Sequence, residues 1–324
     1  MSEAVRARGR WILAVAVIGV VALSACSSGS GTPSFPVPTT TATPNTVAPP
    51  PAPDCGEKRA SYAPTGGLPS PGAMPTGSFM ADIQARGRII AGVSADTLLF
   101  GYRNPLTGSL EGFDIDLIHQ VSQAIFGDPN RVEYKVVTYA QRIPALLDGS
   151  VDIVADVMTI NCARWAQIAF SSQYFQAGQK VLVRRDSPAT RIEDLEGTRM
   201  CAATGSTNIE NLKNYPNITA VPVDDISDCM VLFQQGTVDS VTGDDTVLQG
   251  FVAQDPFTQI IGPPITDEPY GLGIARTHPE FVQFVNGVLQ RMRVDGTWKQ
   301  LYSRWLMPSG PVPEPPAAIY GRAP

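Results

Sequence analysis

Apolar positions along this chain recur with two alternating periods. Residues 88–93 (Arg-Ile-Ile-Ala-Gly-Val) read as a short apolar strand, and within 112–126 Phe113, Leu117, Val121 and Ile125 fall at helical spacing. A strand over 132–137, a helix over 142–147 and a strand over 152–157 continue the series. A second block repeats it, with strands over 181–184, 199–203, 220–223 and 240–242 and helices over 208–213, 227–234 and 246–253. This βαβ rhythm predicts an α/β protein built from mostly parallel sheets flanked by helices, and two blocks predict two lobes. The closing helices, 279–294 and 297–305, follow a strand over 271–275 and are expected to return to the first lobe. Phe281, Phe284, Val285, Val288, Leu289 and Met292 make one apolar stripe on the first of them, a core-packing face.

The ends of the chain follow neither period. Arg6, Arg8 and Arg10 precede the apolar run 11–25, closed by Leu23-Ser24-Ala25-Cys26. A charged start, about fifteen apolar residues and small residues before a cut site form a signal-peptide pattern, since a membrane-spanning helix needs about twenty. The last four residues resemble the bacterial lipobox, which implies lipid on Cys26 and attachment to the membrane. Residues 26–53 are rich in Ser, Thr, Gly, Pro and Ala and read as a tether, on the order of 80 Å when extended at about 3.1 Å per residue. A second Pro-rich stretch, 308–324, reads as a strap without chemistry. The folded part then divides into 54–178 and 272–324 for the first lobe and 179–271 for the second.

Composition narrows the function. The 324 residues are 43% hydrophobic and 17% charged, enough to bury a core, and the formal charge is −6. Removing 1–25, with its excess of arginine, makes the mature chain more acidic, which argues against a nucleic-acid partner. With Cys26 assigned to lipid, Cys55, Cys162, Cys201 and Cys229 remain, an even number that favours disulfides in an exported protein. Three pairings are possible; Cys201–Cys229 with Cys55–Cys162 is the expected one, because the first pair falls inside one lobe. No CxxC spacing occurs and His119 and His278 are the only histidines, so neither a metal nor another cofactor is expected.

Six segments in order carry a resemblance. They are Gly112-Phe113-Asp114-Ile115-Asp116-Leu117, the run 143–152, Met158-Thr159-Ile160-Asn161-Cys162-Ala163-Arg164, Thr204-Gly205-Ser206-Thr207, Gln235-Gly236-Thr237-Val238-Asp239 and Asp295-Gly296-Thr297-Trp298. Together, over roughly 78–306, they resemble the polar amino-acid group of periplasmic binding proteins that serve ABC importers, the extracellular solute-binding proteins of family 3. The resemblance implies a type II fold, two α/β lobes joined by crossing strands near 178–181 and 269–273, with an amino acid held in the cleft.

A free amino acid carries a carboxylate and an ammonium, and burying either costs several kcal/mol unless each meets a partner. The resemblance puts Arg164 on the carboxylate, which a guanidinium grips through paired hydrogen bonds. Thr159 lies five residues before it, as the family pattern requires, and would add its hydroxyl; Val157, where relatives often have glycine, would offer its carbonyl to the ammonium. Asp244 is expected to pair with the ammonium, with neighbouring Asp245 and a helix N-cap role as the competing assignments. Gly205, Ser206 and Thr207 open a helix whose N–H groups face an anion, or simply cap it. Arg142, just before Ile143-Pro144, resembles the arginine that binds a side-chain carboxylate in the acidic-amino-acid branch; a surface ion pair with Asp148 or Asp152 is its bland alternative. Tyr139 and Phe100 are expected to flank the ligand's carbon chain, and Ser94 to meet its side chain.

These residues lead to a lipid-anchored extracytoplasmic protein that traps aspartate or glutamate, with glutamine or asparagine as neighbouring choices, and passes it to an ABC permease. A subunit that reports amino-acid levels to a membrane-embedded receptor has the same sequence signature. A small-acid lyase on the same fold is the enzymatic alternative. Neither histidine is placed for acid–base work, however, and no G-x-S-x-G or Walker sequence occurs.

Overall fold

The computed structural model describes residues 54–307 and 311–324. The signal-peptide, lipidation and tether assignments, Cys26 included, lie outside these residues.

Two sheets organise the described chain. In the first, the parallel strands Val132–Val136, Ile89–Val93 and Ile153–Ala155 lie side by side and are extended by the antiparallel pieces Gly273–Ile274 and Ala169–Phe170. The strands Ile89–Val93 and Ile153–Ala155 are buried on both faces, which is why they read as continuous apolar runs. In the second sheet the order is Thr219–Val223, Arg199–Ala203, Ser240–Asp244, Phe175–Arg184 and Thr258–Ile261. The first three are parallel, and Phe175–Arg184 runs antiparallel to both its neighbours. The sheets are therefore mixed, with helices on their faces.

The strand expected over 181–184 is the second half of a ten-residue strand, Phe175–Arg184. Its first half pairs antiparallel with Asp267–Tyr270, so the chain leaves the first sheet and returns to it through one two-stranded ribbon. Gly178 sits in that ribbon because a Cβ there would lie 2.7 Å from the Pro264 side chain. The short hairpin strands Asp96–Thr97, Gly101–Arg103 and Leu110–Glu111 carry no apolar period and were not expected. The helix Phe113–Phe126 starts on Gly112, φ 137°, where a Cβ would collide with the Phe100 carbonyl oxygen at 2.1 Å. The stripe on the helix Pro279–Asp295 is buried from Phe281 to Met292, as core packing requires.

Both expected disulfides are formed. Cys201–Cys229 ties the strand Arg199–Ala203 to the helix Ile226–Gln234 within the second lobe, and Cys55–Cys162 ties the start of the described chain to the one-turn helix Cys162–Trp165. The C-terminal strap is a structural part of the same corner. Ile319–Tyr320 pairs parallel with Ala60–Ser61. Arg322 donates from Nε to the Ala60 carbonyl (3.0 Å) and from Nη2 to that of Cys55 (3.1 Å), with its guanidinium 4.1 Å from the centre of the Trp165 ring. Arg322→Ala should cost about 1–2 kcal/mol of stability, through lost hydrogen bonds and stacking. An unchanged urea midpoint would show the strap to be energetically idle.

Candidate functional site

The strand ends of the first sheet face the second lobe, and the side chains that meet there come from loops whose local geometry holds them. Asn161 caps the turn Cys162–Trp165, accepting from the Arg164 N–H at 2.9 Å. That turn aims the Arg164 guanidinium across the cleft: Nη1 donates to the Thr159 carbonyl (2.8 Å) and Nη2 to the Gly205 carbonyl of the second lobe (3.0 Å). Arg142 opens the helix Arg142–Leu147 and is fully buried. It donates to the carbonyls of Tyr139 (3.1 Å), Asp156 (2.8 Å) and Gly205 (3.3 Å), and lies 4.3 Å from the Tyr139 ring centre. The surface ion pair weighed for Arg142 does not form, since Asp152 is paired with Arg86. Two buried guanidinium groups thus converge on one carbonyl oxygen. Desolvation and the like charge of Arg142 both disfavour the charged form of Arg164, so an anion placed between them would be held strongly.

Gly205, φ 77°, makes the convergence possible. A Cβ on it would come within 2.7 Å of the Ala140 Cα, so glycine lets the second lobe close down on the Tyr139-Ala140 segment. The lobes also meet where the Asp96 carboxylate accepts from the Ser227 N–H (3.2 Å) at the start of the helix Ile226–Gln234.

Asp244 ends the strand Ser240–Asp244 and precedes the helix Asp245–Gln254, but its side chain makes no cap hydrogen bond. It turns inward and accepts from Asn208 Nδ2 (2.8 Å) and the Tyr270 hydroxyl (2.6 Å). Burial, reinforced by Glu268, pushes its carboxyl up to about 7. Asp245 instead accepts from the Gly178 N–H of the ribbon (3.3 Å). Thr159 and Thr207 face each other across the cleft, their hydroxyl oxygens 3.5 Å apart, and Thr207 donates to Glu268 at 2.7 Å. Around this mouth a polar cavity of ≈ 500 Å³, lined among others by Lys58, Thr159, Thr207, Glu210 and Glu268, opens to solvent.

Other expected residues have local work. The Ser206 hydroxyl caps the helix Thr207–Asn211, accepting from the Ile209 N–H at 3.1 Å. Ser94 shapes the following turn, donating to Asp96 Oδ1 (2.7 Å) and accepting from the Thr97 N–H (3.1 Å). Phe100 is fully buried, edge-on to Phe175 and Tyr270, behind the cleft rather than on its wall. Val157 holds φ 39°, a left-handed conformation that a β-branched residue rarely takes, while its N–H donates to Asp114 Oδ2 at 2.8 Å. The resemblance pointed at glycine there, and the backbone geometry explains why.

Glu268, Tyr270, Asn208 and Asp156 were not anticipated. Glu268 and Tyr270 lie on the ribbon strand, which no period announced. Asp156 did leave a signal, a carboxylate directly after the buried strand Ile153–Ala155.

The family model for bacterial extracellular solute-binding proteins, family 3, matches residues 89–308. The chain belongs to this family. The ABC transporter glutamine-binding protein GlnH of Bacillus subtilis (strain 168) is 34% identical over 229 residues, 70% of this chain and 84% of that protein. The glutamate-binding protein GluB of Corynebacterium glutamicum is 32% identical over 238 residues, 69% of this chain and 79% of that protein. An ancestral arginine-binding protein solved with glutamine superposes with a TM-score of 0.64 at 31% identity, over 68% of this chain and 98% of the other. The fold is thus that of the type II periplasmic binding proteins. As a family 3 solute-binding protein, the chain places its buried arginines and Asp244 between the two lobes that the ribbon connects.

Proposed function

We propose that this protein captures a free polar amino acid of the glutamate and glutamine class between its lobes, without altering it, and delivers it to an ABC permease. A lipid on Cys26 and the 26–53 tether would hold it at the outer face of the membrane. The observation that carries the reading is the convergence of buried Arg142 and Arg164 on the Gly205 carbonyl, with the buried Asp244 carboxylate contributed by the other lobe. This is a matched set for a zwitterion: a ligand carboxylate offers the two forks charged acceptors, and its ammonium satisfies Asp244. The preference for aspartate or glutamate rested on Arg142 and Arg164 gripping one carboxylate each. Their meeting on a single oxygen favours a shared grip on one carboxylate.

In titration calorimetry the folded domain should bind at least one such amino acid with micromolar or tighter affinity, about −8 kcal/mol, and return it unchanged. Saturation at a hundredfold over Kd should stabilise the fold by about 2.7 kcal/mol and raise Tm. Absence of both heat and Tm shift with all twenty amino acids would sink the proposal; a new product in the recovered ligand would favour the lyase.

A further inference from the structure

The first described residues lie outside 89–308, the span that the family model matches, yet they reach the turn that carries Arg164. Two ties hold that turn, one on either side of the arginine. Cys162, two residues before Arg164, is bonded to Cys55, and Trp165, directly after it, donates from Nε1 to the Lys58 carbonyl at 2.8 Å. Lys58 continues to the mouth of the cleft, where its Nζ donates to the Asp267 carbonyl of the ribbon at 3.3 Å. Residues 55–58 thus bracket the guanidinium that the proposed site offers to a ligand carboxylate. Such a brace has a purpose, because the four-residue turn Cys162–Trp165 is too short to hold its own shape through internal hydrogen bonds.

The two disulfides differ in what a reductant can reach. Cys201 and Cys229 are both fully buried. Cys55 and Cys162 are half-buried, with exposed Gly56 and Ala163 beside them. Thiol–disulfide exchange needs a thiolate to approach a sulfur atom, so access selects the bond that breaks. A dithiol in solution therefore meets Cys55–Cys162 first. It is oxidised to its own disulfide, and its two electrons and two protons leave Cys55 and Cys162 as thiols. The Trp165 contact to Lys58 survives this step, but the covalent tie two residues from Arg164 is lost. A guanidinium set in advance gives up little motion on binding, so a turn freed on one side binds more weakly.

We propose that Cys55–Cys162 is a positioning pair for Arg164, and that a dithiol reductant lowers amino-acid affinity by opening this bond and not Cys201–Cys229. The inference rests on the amino-acid-binding reading above and adds a control on it.

The test is titration calorimetry of the protein with glutamine and glutamate, before and after dithiothreitol under native conditions. A parallel sample is alkylated and mapped by peptide mass. Among the four described cysteines, label is expected on Cys55 and Cys162 alone. Affinity for whichever amino acid binds is expected to fall roughly tenfold and to return on reoxidation. Cys55→Ser combined with Cys162→Ser should match the reduced protein and ignore dithiothreitol. Arg164→Lys separates positioning from general support: with the planar fork gone, opening the disulfide is expected to change affinity by less than about twofold. A purely structural contribution would cost the same in both backgrounds. Unchanged affinity once Cys55 and Cys162 are thiols, equal losses in the wild type and in Arg164→Lys, or labelling of Cys201 and Cys229 at the same dose overturns the proposal. Should the double serine variant fail to fold, reduction of the wild type and of Arg164→Lys decides it. A protein that binds no amino acid even when oxidised overturns the underlying reading instead.

Discussion

Arg164→Ala should weaken amino-acid binding by roughly two to four orders of magnitude, about 3–5 kcal/mol, because it strands a buried ligand carboxylate. Three features make this residue the most sensitive one. Its side chain is nearly fully buried, so water cannot take over its role. Its orientation is set in advance by the Asn161 cap and the Thr159 carbonyl, so little ordering cost remains to be met on binding. Burial and Arg142 both destabilise its charge in the ligand-free protein, so the anion relieves an existing penalty. Arg164→Lys should recover only a fraction of the loss, since a point charge cannot reproduce the planar fork. Titration calorimetry decides the matter, and wild-type affinity in Arg164→Ala would place the carboxylate elsewhere.

The strand–helix order of the first lobe could be read directly, because the strands Ile89–Val93 and Ile153–Ala155 are buried on both faces and the long helices Phe113–Phe126 and Pro279–Asp295 carry apolar stripes. The ribbon shows no apolar period; only the resemblance placed its crossings, near 178–181 and 269–273, where Phe175–Gly178 pairs with Asp267–Tyr270. Phe175-Gln-Ala-Gly-Gln-Lys mixes glycine and amides, and its burial comes from partners far along the chain. Gln179 shows the reason: it is fully buried, and its amide is satisfied by the Asn208 carbonyl (3.2 Å) and the Thr242 hydroxyl (2.9 Å). No local period encodes such a match. The site divides in the same way. The resemblance pointed to Arg164, Thr159 and Asp244 as residue types in a pattern. It did not report that Ser206 is occupied by capping, that Phe100 lies behind the cleft, or that Asp156 is buried without a partner, since those depend on tertiary surroundings.

Ligand-free protein should lose stability as pH rises from about 4 to about 7, the opposite of the usual response to leaving acid. Asp114, Asp156 and Asp244 are each pushed up to about 7, in every case first by burial. Their unfolded value is near 3.9. Between these limits the folded chain holds more protons than the unfolded one, so the free energy of unfolding falls with rising pH and levels off above 7. Some carboxylates pull the other way: Glu57, Glu111, Asp148 and Asp194 are held below their ordinary range by local hydrogen bonds. They lie at the surface, where water screens such interactions; the buried Asp116 is also held low, against the pull of burial, by His119, Trp305 and Arg304, but it is one group against three pushed up to about 7, which should dominate. An amino acid in the cleft changes the balance, because its ammonium stabilises the ionised form of Asp244. The ligand-induced rise in Tm should therefore grow as pH climbs towards 7, even as the Tm of the ligand-free protein declines. Thermal melts from pH 5 to 8 at fixed ionic strength check both halves. A ligand-free Tm that climbs steadily over that range would mean these carboxylates are not destabilised by burial, and the case for Asp244 as a waiting partner for the ammonium would fail with it.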